Sequence, residues 1–486
     1  MTQPTFFWHD YESFGIDPAR DRPAQFAGIR TDWDLNPIGE PVMIYCAPSV
    51  DYLPQPEACL ITGIDPYETW AKGLCEAEFI ARIEAEMKQP NTCSVGYNSI
   101  RFDDEVTRHS LFRNLRDPYA REWKNGCSRW DILDMMRLVR LMKPEILTWP
   151  ERDGRISMKL EDLTAANGLS HANAHDALSD VEATIALARL VKNRAPALFD
   201  YCLSLRSKRE VQDICRVGQM KPLLHISGRY PTDRHNAAVV VPLMQDPSNP
   251  NGILVWDLSC PAEILLELTP DEIKRRLYTP SSELGEGEIR PGLKTLHVNK
   301  SPVVMGVNAA VLERLGLSQQ ALTDNLELLR QHSVWHETLK LVMARDEREV
   351  SSDPDLSLYS GGFLSSTDRR QLEEITGMPA EALGSYAPAF QDGRLEEMLF
   401  RYRARNYPDF LNHAEKAQWI DFCRERLEDG RAGALSLEAY RQKLSQLAEG
   451  ATPAHHEVLS RLAEYADDLE SSLSQELLRP QRIAAQ

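Results

Sequence analysis

No stretch of the 486-residue chain approaches the roughly 18 consecutive apolar residues that a membrane-spanning helix needs. The first ten residues, Met-Thr-Gln-Pro-Thr-Phe-Phe-Trp-His-Asp, lack a basic region, an apolar core and a small-residue cleavage site, so no secretory leader is expected. The nine cysteines are scattered, with no Cys-x-x-Cys pair and no zinc-ligand spacing. That argues against a disulfide framework and for reduced thiols in the cytoplasm. Internal repeats and low-complexity tracts are also missing. Positive charge is scarce: 55 Lys and Arg face 73 Asp and Glu, a net charge of −18. A chain this acidic is not an obvious partner for nucleic acid. The local balance differs, however. Arg101–Lys143 holds 10 Lys and Arg against 7 Asp and Glu, and Tyr201–Arg234 holds 7 against 3. These excesses fit either a basic groove on an acidic body or ordinary solvated helix faces.

At this length two to four domains are expected, and three regions can be read. In residues 5–194, the apolar run Phe6–Glu12 reads as a buried strand, with further strands at Gln25–Thr31, Val42–Cys46 and Ser94–Tyr97. Asn36–Gly39 supplies a turn. Apolar residues at helical spacing mark helices over Arg129–Met142 and Asp176–Lys192. Strands followed by helices predict an α/β layer domain. Residues 196–350 are richer in β-type segments, at Leu223–Ser227, Ala237–Pro242, Ile253–Leu258, Thr295–Asn299 and Val303–Val307. A helical insertion is expected at Asp271–Tyr278, within a small barrel or sheet domain. Residues 351–486 are dominated by helical patterns, clearest at Leu395–Arg405, Ala414–Leu427, Leu437–Ala448 and His455–Leu473.

Chemistry concentrates in the first region. Asp10 and Glu12 stand two apart on a strand, so alternation puts both carboxylates on one face. Two carboxylates that close repel unless a cation lies between them, and oxygen donors suit Mg²⁺ or Mn²⁺. A solvated strand end would give the same pattern, but the preceding Phe6, Phe7 and Trp8 make this an interior strand. Asp103 follows a polar turn where a helix can start, as a ligand or as an N-cap. Asp176 can start the next helix, with Asp180 one turn in and His175 just before it. A neutral imidazole there can accept a proton from water near pH 7. Together the order D-x-E, D, H-x₄-D offers four carboxylates for two divalent ions and one general base, the set that phosphodiester hydrolysis wants.

Three strings carry a family resemblance. They are His9-Asp10-Tyr11-Glu12-Ser13-Phe14-Gly15, Gly96-Tyr97-Asn98 with Arg101-Phe102-Asp103-Asp104-Glu105, and Asn173-Ala174-His175-Asp176-Ala177 with Asp180. They resemble the three exonuclease motifs of the DnaQ-like superfamily, histidine subtype. Asp21–Ala27, Gln219–Leu223, His297–Pro302 and Arg401–Pro408 narrow the resemblance to the bacterial exodeoxyribonuclease I family, over nearly the whole chain.

That resemblance implies an α/β ribonuclease H-like exonuclease domain with a mixed sheet (residues 5–194), an SH3-like barrel domain with helical insertions (196–350) and a helical C-terminal domain (351–486). It implies a cytoplasmic, monomeric, Mg²⁺-dependent enzyme, with two ions and Mn²⁺ as a possible substitute. The enzyme would remove 5′-mononucleotides processively, 3′→5′, from single-stranded DNA in repair or recombination. Matched by position, Asp10, Glu12, Asp103 and Asp180 are the metal-binding acids, with Glu12 also touching substrate, and His175 is the catalytic histidine. Lys159, Arg108, Tyr119, Trp123, Arg137, Lys221 and Lys300 match substrate-contacting positions, in keeping with the cationic, aromatic grooves that hold single strands. Lys143, Tyr201 and Arg330 match positions that dock the acidic C-terminal tail of single-stranded DNA-binding protein. Two alternatives stand beside this one: an exoribonuclease or proofreading exonuclease of the same superfamily, and a non-catalytic single-strand-binding protein. The long chain after Arg194 argues against the former, and the complete set of five site residues against the latter.

Overall fold

The computed structural model describes residues 3–170, 176–344 and 351–480. The described residues fall into two compact units, one from Met1–Ser128, His171–Thr184 and Glu349–Gln486, the other from Arg129–Ser170 and Ile185–Arg348. The C-terminal helices therefore fold with the N-terminal sheet.

In the first unit, strands β1 (Thr5–Ser13), β2 (Pro23–Thr31), β3 (Val42–Tyr45) and β4 (Thr92–Gly96) lie in the order β3-β2-β1-β4. β1 runs antiparallel to β2, pairing Asp10 with Ala27 and Glu12 with Gln25. It runs parallel to β4 only over Thr5–Trp8. A parallel neighbour requires a crossover, which the helices Pro56–Thr62, Pro66–Lys72 and Glu76–Met87 provide. The last of these buries Phe79, Ile80, Ile83 and Met87 against Phe7, Tyr11 and Phe26. Phe6, Phe7 and Trp8 are buried, so β1 is the interior strand its composition predicts. β4 stops at Gly96, where a Cβ would lie 2.6 Å from that of Ser99. Asn98 then takes a left-handed conformation (φ 61°), which asparagine tolerates, and the chain enters the helix Asp103–Arg113.

The helices Arg394–Asn406, His413–Asp429, Leu437–Ala448 and Pro453–Ser474 occur where the C-terminal periodicity predicts them. Trp419, Tyr440, Leu462, Tyr465 and Leu469 from these helices share one core with Tyr52, Leu53, Cys59 and Tyr67. Two buried polar ties reinforce it: Tyr67 Oη to Asp468 Oδ2 at 3.2 Å and Trp70 Nε1 to Tyr465 Oη at 3.1 Å.

β5 (Ser128–Asp131) straddles the unit boundary. A helix is expected from Arg129, but Ser128–Asp131 is taken up by the strand and the helix begins at Leu133, whose N–H donates to the Asp131 carboxylate at 3.0 Å. The second unit contains a short hairpin of β6 (Glu151–Arg152) and β7 (Arg155–Ile156). Its main sheet comprises β8 (Leu223–Ile226), β9 (Ala237–Gln245), β10 (Gly252–Asp257), β11 (Leu293–His297) and β12 (Val303–Gly306). The order is β11-β10-β9-β8-β12, antiparallel throughout. Pro242, which cannot donate to a ladder, falls where the β9–β10 register shifts. The expected helix at Asp271–Tyr278 is present as Pro270–Tyr278. Among the described residues, no helix is long and apolar enough to cross a membrane, and all nine cysteines are free thiols.

Candidate active site

Three elements of the first unit bring the acids together. Asp10 and Glu12 project from β1, Asp103 opens the helix Asp103–Arg113, and Asp180 lies in the first turn of the helix Ala177–Arg194. Carboxylate oxygens of Asp10, Glu12 and Asp180 lie within 4.8 Å of one another. Asp103 Oδ1 accepts the Tyr11 N–H at 3.1 Å, which sets it beside the β1 backbone. The Ala177–Arg194 helix is anchored at both ends of its first turn. Asp176 Oδ1 accepts the Ser179 N–H at 3.2 Å, and Gln25 Oε1, from the residue opposite Glu12, accepts the Ala177 N–H at 3.3 Å.

The electrostatics follow from this crowding. Burial pushes the Asp10 carboxyl well above the usual carboxylate range, and the charges of Asp103, Glu12 and Asp180 push it further. Burial, then Asp180, Asp103 and Asp176, raise Glu12 to about 8. Acids held this way are costly to ionise unless a cation joins them. All donors are oxygen, the choice of a hard divalent ion. The residues therefore fit the metal that the acid pattern calls for, and Asp10, Glu12 and Asp180 are close enough together to hold one. His175 lies outside the described residues.

Of the remaining candidates in this unit, Trp123 is 66% exposed and available to a ligand. Tyr119 is half-buried, with the Arg108 guanidinium 5.4 Å from its ring centre. Arg108 itself is 5% exposed. It makes paired bonds of 2.7 and 2.8 Å to Glu122, and further bonds to Glu105 (2.7 Å) and Tyr359 (3.2 Å). In the second unit, Lys159 and Lys221 are exposed, Lys159 lying 3.4 Å from Glu161. Lys300 is half-buried. Arg137 pairs with Asp134 and lies against Gly228, where a Cβ would come within 2.7 Å of its Nη2. Lys143 is 3.9 Å from Glu145, Tyr201 donates to the Val304 carbonyl at 2.6 Å, and Arg330 pairs with Glu327 at 2.8 Å.

Sequence reasoning did not single out Gln25 and Tyr11 as supports of the acid cluster. Gln25 sits in the Asp21–Ala27 string and Tyr11 between the two strand acids, but what each holds depends on residues 92 or more positions away. Four of the ten Lys and Arg residues over Arg101–Lys143 are internal. Arg108, Arg113, Arg121 and Arg129 are all buried, the first three on Glu122, Glu76 and Asp104.

An interior strand carrying paired acids, with further acids from two helix starts, defines a metal-dependent nuclease centre of the ribonuclease H-like exonuclease class. Comparison with known families agrees: residues 7–188 match the model described as Exonuclease. Residues 206–345 match the Exonuclease I SH3-like domain, and 352–469 the Exonuclease I C-terminal domain. The chain belongs to the exonuclease I family. It is 44% identical over 474 residues to exodeoxyribonuclease I of Escherichia coli strain K12, covering 96% of this chain and 98% of that one. The solved exonuclease I of Methylocaldum szegediense superposes with a TM-score of 0.91 at 47% identity, over 96% and 99% of the two chains. The zinc-ion-bound form of the E. coli enzyme's complex with single-stranded DNA gives a TM-score of 0.91 at 43% identity, over 96% and 100%. The architecture is thus a ribonuclease H-like exonuclease domain, an SH3-like domain and a helical C-terminal domain.

Proposed function

We propose that this chain is a cytoplasmic, monomeric, Mg²⁺-dependent exodeoxyribonuclease that removes 5′-mononucleotides processively from the 3′ end of single-stranded DNA in repair or recombination. The observation that carries the reading is the convergence of Asp10, Glu12 and Asp180 within 4.8 Å, with Asp103 fastened alongside. Relatives of this architecture include the E. coli enzyme bound to single-stranded DNA and zinc.

When bound, two Mg²⁺ ions, with Mn²⁺ as a substitute, supply Lewis acidity to the water and to the leaving oxygen. Asp10, Glu12, Asp103 and Asp180 hold them, and Glu12 also lies against the terminal nucleotide. His175 accepts the proton of the attacking water, whose oxygen bonds to phosphorus as the bond from phosphorus to O3′ breaks. The terminal nucleotide leaves with a 5′-phosphate, and the O3′ of the shortened strand takes a proton from solvent to become its 3′-hydroxyl. Trp123 offers an exposed stacking face, and the Arg108 guanidinium lies 5.4 Å from the ring centre of Tyr119. Arg137, Lys159, Lys221 and Lys300 are assigned to the strand's phosphates, and Lys143, Tyr201 and Arg330 to the acidic tail of single-stranded DNA-binding protein.

Digestion of 5′- and 3′-labelled single-stranded DNA with and without Mg²⁺ tests polarity, product and ion requirement together. The 3′ label should be released at once as a mononucleotide, only with the ion present. Release from the 5′ end first, or no release at all, contradicts the reading.

A further inference from the structure

Tyr11 separates the two strand acids, and alternation sends its side chain to the opposite face of β1. There it is buried, its ring edge-on to Phe26 with centroids 4.8 Å apart. β4 has left β1 beyond Trp8, so the backbone of β1 must find other partners on that side. The Tyr11 N–H finds the Asp103 carboxylate at 3.1 Å.

The phenol makes a second connection to the same residue. Tyr11 Oη lies 2.9 Å from Thr107 Oγ1, and Thr107 Oγ1 donates to the Asp103 carbonyl at 2.8 Å. Thr107 has one hydroxyl hydrogen, so Tyr11 donates to Thr107 and Thr107 donates to Asp103. A threonine hydroxyl bonding four residues back is routine inside helices. Here the same hydroxyl also receives a bond from another element, in a fully buried position. Asp103 is thus gripped at its carboxylate by the backbone of Tyr11 and at its carbonyl, through Thr107, by that residue's side chain. The grip runs from the strand that carries Asp10 and Glu12 to the helix that carries Asp103.

We infer that Tyr11 and Thr107 are positioning residues, which fix the Asp103 carboxylate relative to Asp10 and Glu12 and so set the affinity of the acid cluster for divalent ions. The inference rests on the proposed function for the identity of the site but makes its own claim about ion binding. Groups that hydrogen-bond metal ligands are typically worth about 10- to 100-fold in affinity or activity.

The test is Mn²⁺ titration of the full-length protein, followed by electron paramagnetic resonance, beside kcat and KM on a single-stranded oligonucleotide. Thr107→Val keeps the shape and loses the hydroxyl. It should weaken Mn²⁺ binding and lower kcat by about tenfold each, with KM for DNA unchanged. Thr107→Ser should restore both. Tyr11→Phe, which keeps the ring and the backbone N–H, should show a smaller loss in the same direction, and serves alone if Thr107→Val fails to fold. Wild-type Mn²⁺ affinity in either hydroxyl-less variant overturns the inference. So does a Thr107→Ser variant as impaired as Thr107→Val at equal thermal stability. A wild type that binds Mn²⁺ but never cleaves DNA would overturn the proposed function instead, and leave the ion-binding comparison intact.

Discussion

The first unit contains two clusters of acids, and they are built on opposite electrostatic plans. In one, Asp10, Glu12, Asp103 and Asp180 come together, and beside burial the charges of Asp103 and Asp180 push both Asp10 and Glu12 toward the protonated form. In the other, Asp51, Asp353 and Asp355 are interleaved with arginines. Arg405 reaches Asp51 at 2.9 Å and Asp355 at 2.8 Å. Arg426 reaches Asp353 at 3.2 Å, and Arg401 reaches Asp355 at 3.0 Å. Burial alone would raise the Asp51 carboxyl, but Arg405, Arg426 and Arg22 outweigh it and hold the group well below the usual range. Asp355 is held low in the same way by Arg405 and Arg401. The second cluster supplies its own cations and joins the N-terminal and C-terminal parts of the chain. The first is left to recruit its cations from solution. Two sets of acids within one unit therefore divide into a fastening and a proposed site.

That division predicts opposite responses to the same substitution. Asp10→Asn should abolish hydrolysis, a loss well beyond the ~100-fold that changing a ligand's hydrogen-bond partner can cost. It should also raise the melting temperature of the ion-free protein near pH 8, because a repelling charge is gone. Activity and melting curves on one preparation check both, and an unchanged or lowered melting temperature would break the contrast.

Asp51→Asn should do the reverse. It leaves Arg405 and Arg426 with a buried charge unmet and costs about 3–5 kcal/mol, read by denaturant unfolding of the unit. At a temperature where the variant stays folded, hydrolysis should survive. Wild-type stability would mean that the arginine cluster is not a fastening.

A smaller effect separates the clusters by pH. Glu12 titrates near 8 when folded against 4.5 as a free side chain. Between those values the folded protein holds a proton that the unfolded chain has lost, so its contribution to stability falls as pH rises. The contribution is fully present below about pH 4.5 and lost above about pH 8. Divalent ions bind the ionised acids and remove this cost. The rise in melting temperature on adding Mg²⁺ should therefore be larger at pH 8 than at pH 5.5. An equal rise at both would place the ions elsewhere.

Much of the acid site is legible in the sequence, because its determinants are local. Alternation pairs Asp10 with Glu12, three apolar residues bury their strand, and helix starts place Asp103 and Asp180. The five strands of the second unit's main sheet are legible for the same reason, though the short hairpin at Glu151–Ile156 is not. β5 is not, because four residues with Arg129 in the middle carry no clear period beside a strong helical pattern that follows. The arginine cluster escapes a local reading entirely: Asp51 and Arg405 are 354 positions apart, and nothing near either announces the other. Charge counting fails in a related way. Arg108, Arg113 and Arg121 add to a local basic excess, yet each is buried and paired with an acid. Composition counts charges, whereas only the fold says which of them face water.

The central claim is that the acids which repel one another, and not those already matched by arginine, form the ion site of the nuclease. Calorimetric titration of Mn²⁺ into the wild type, Asp10→Asn and Asp51→Asn tests it most directly. The account predicts that Asp10→Asn loses the binding and that folded Asp51→Asn keeps it. Retained binding in Asp10→Asn, or binding lost only in Asp51→Asn, would contradict it.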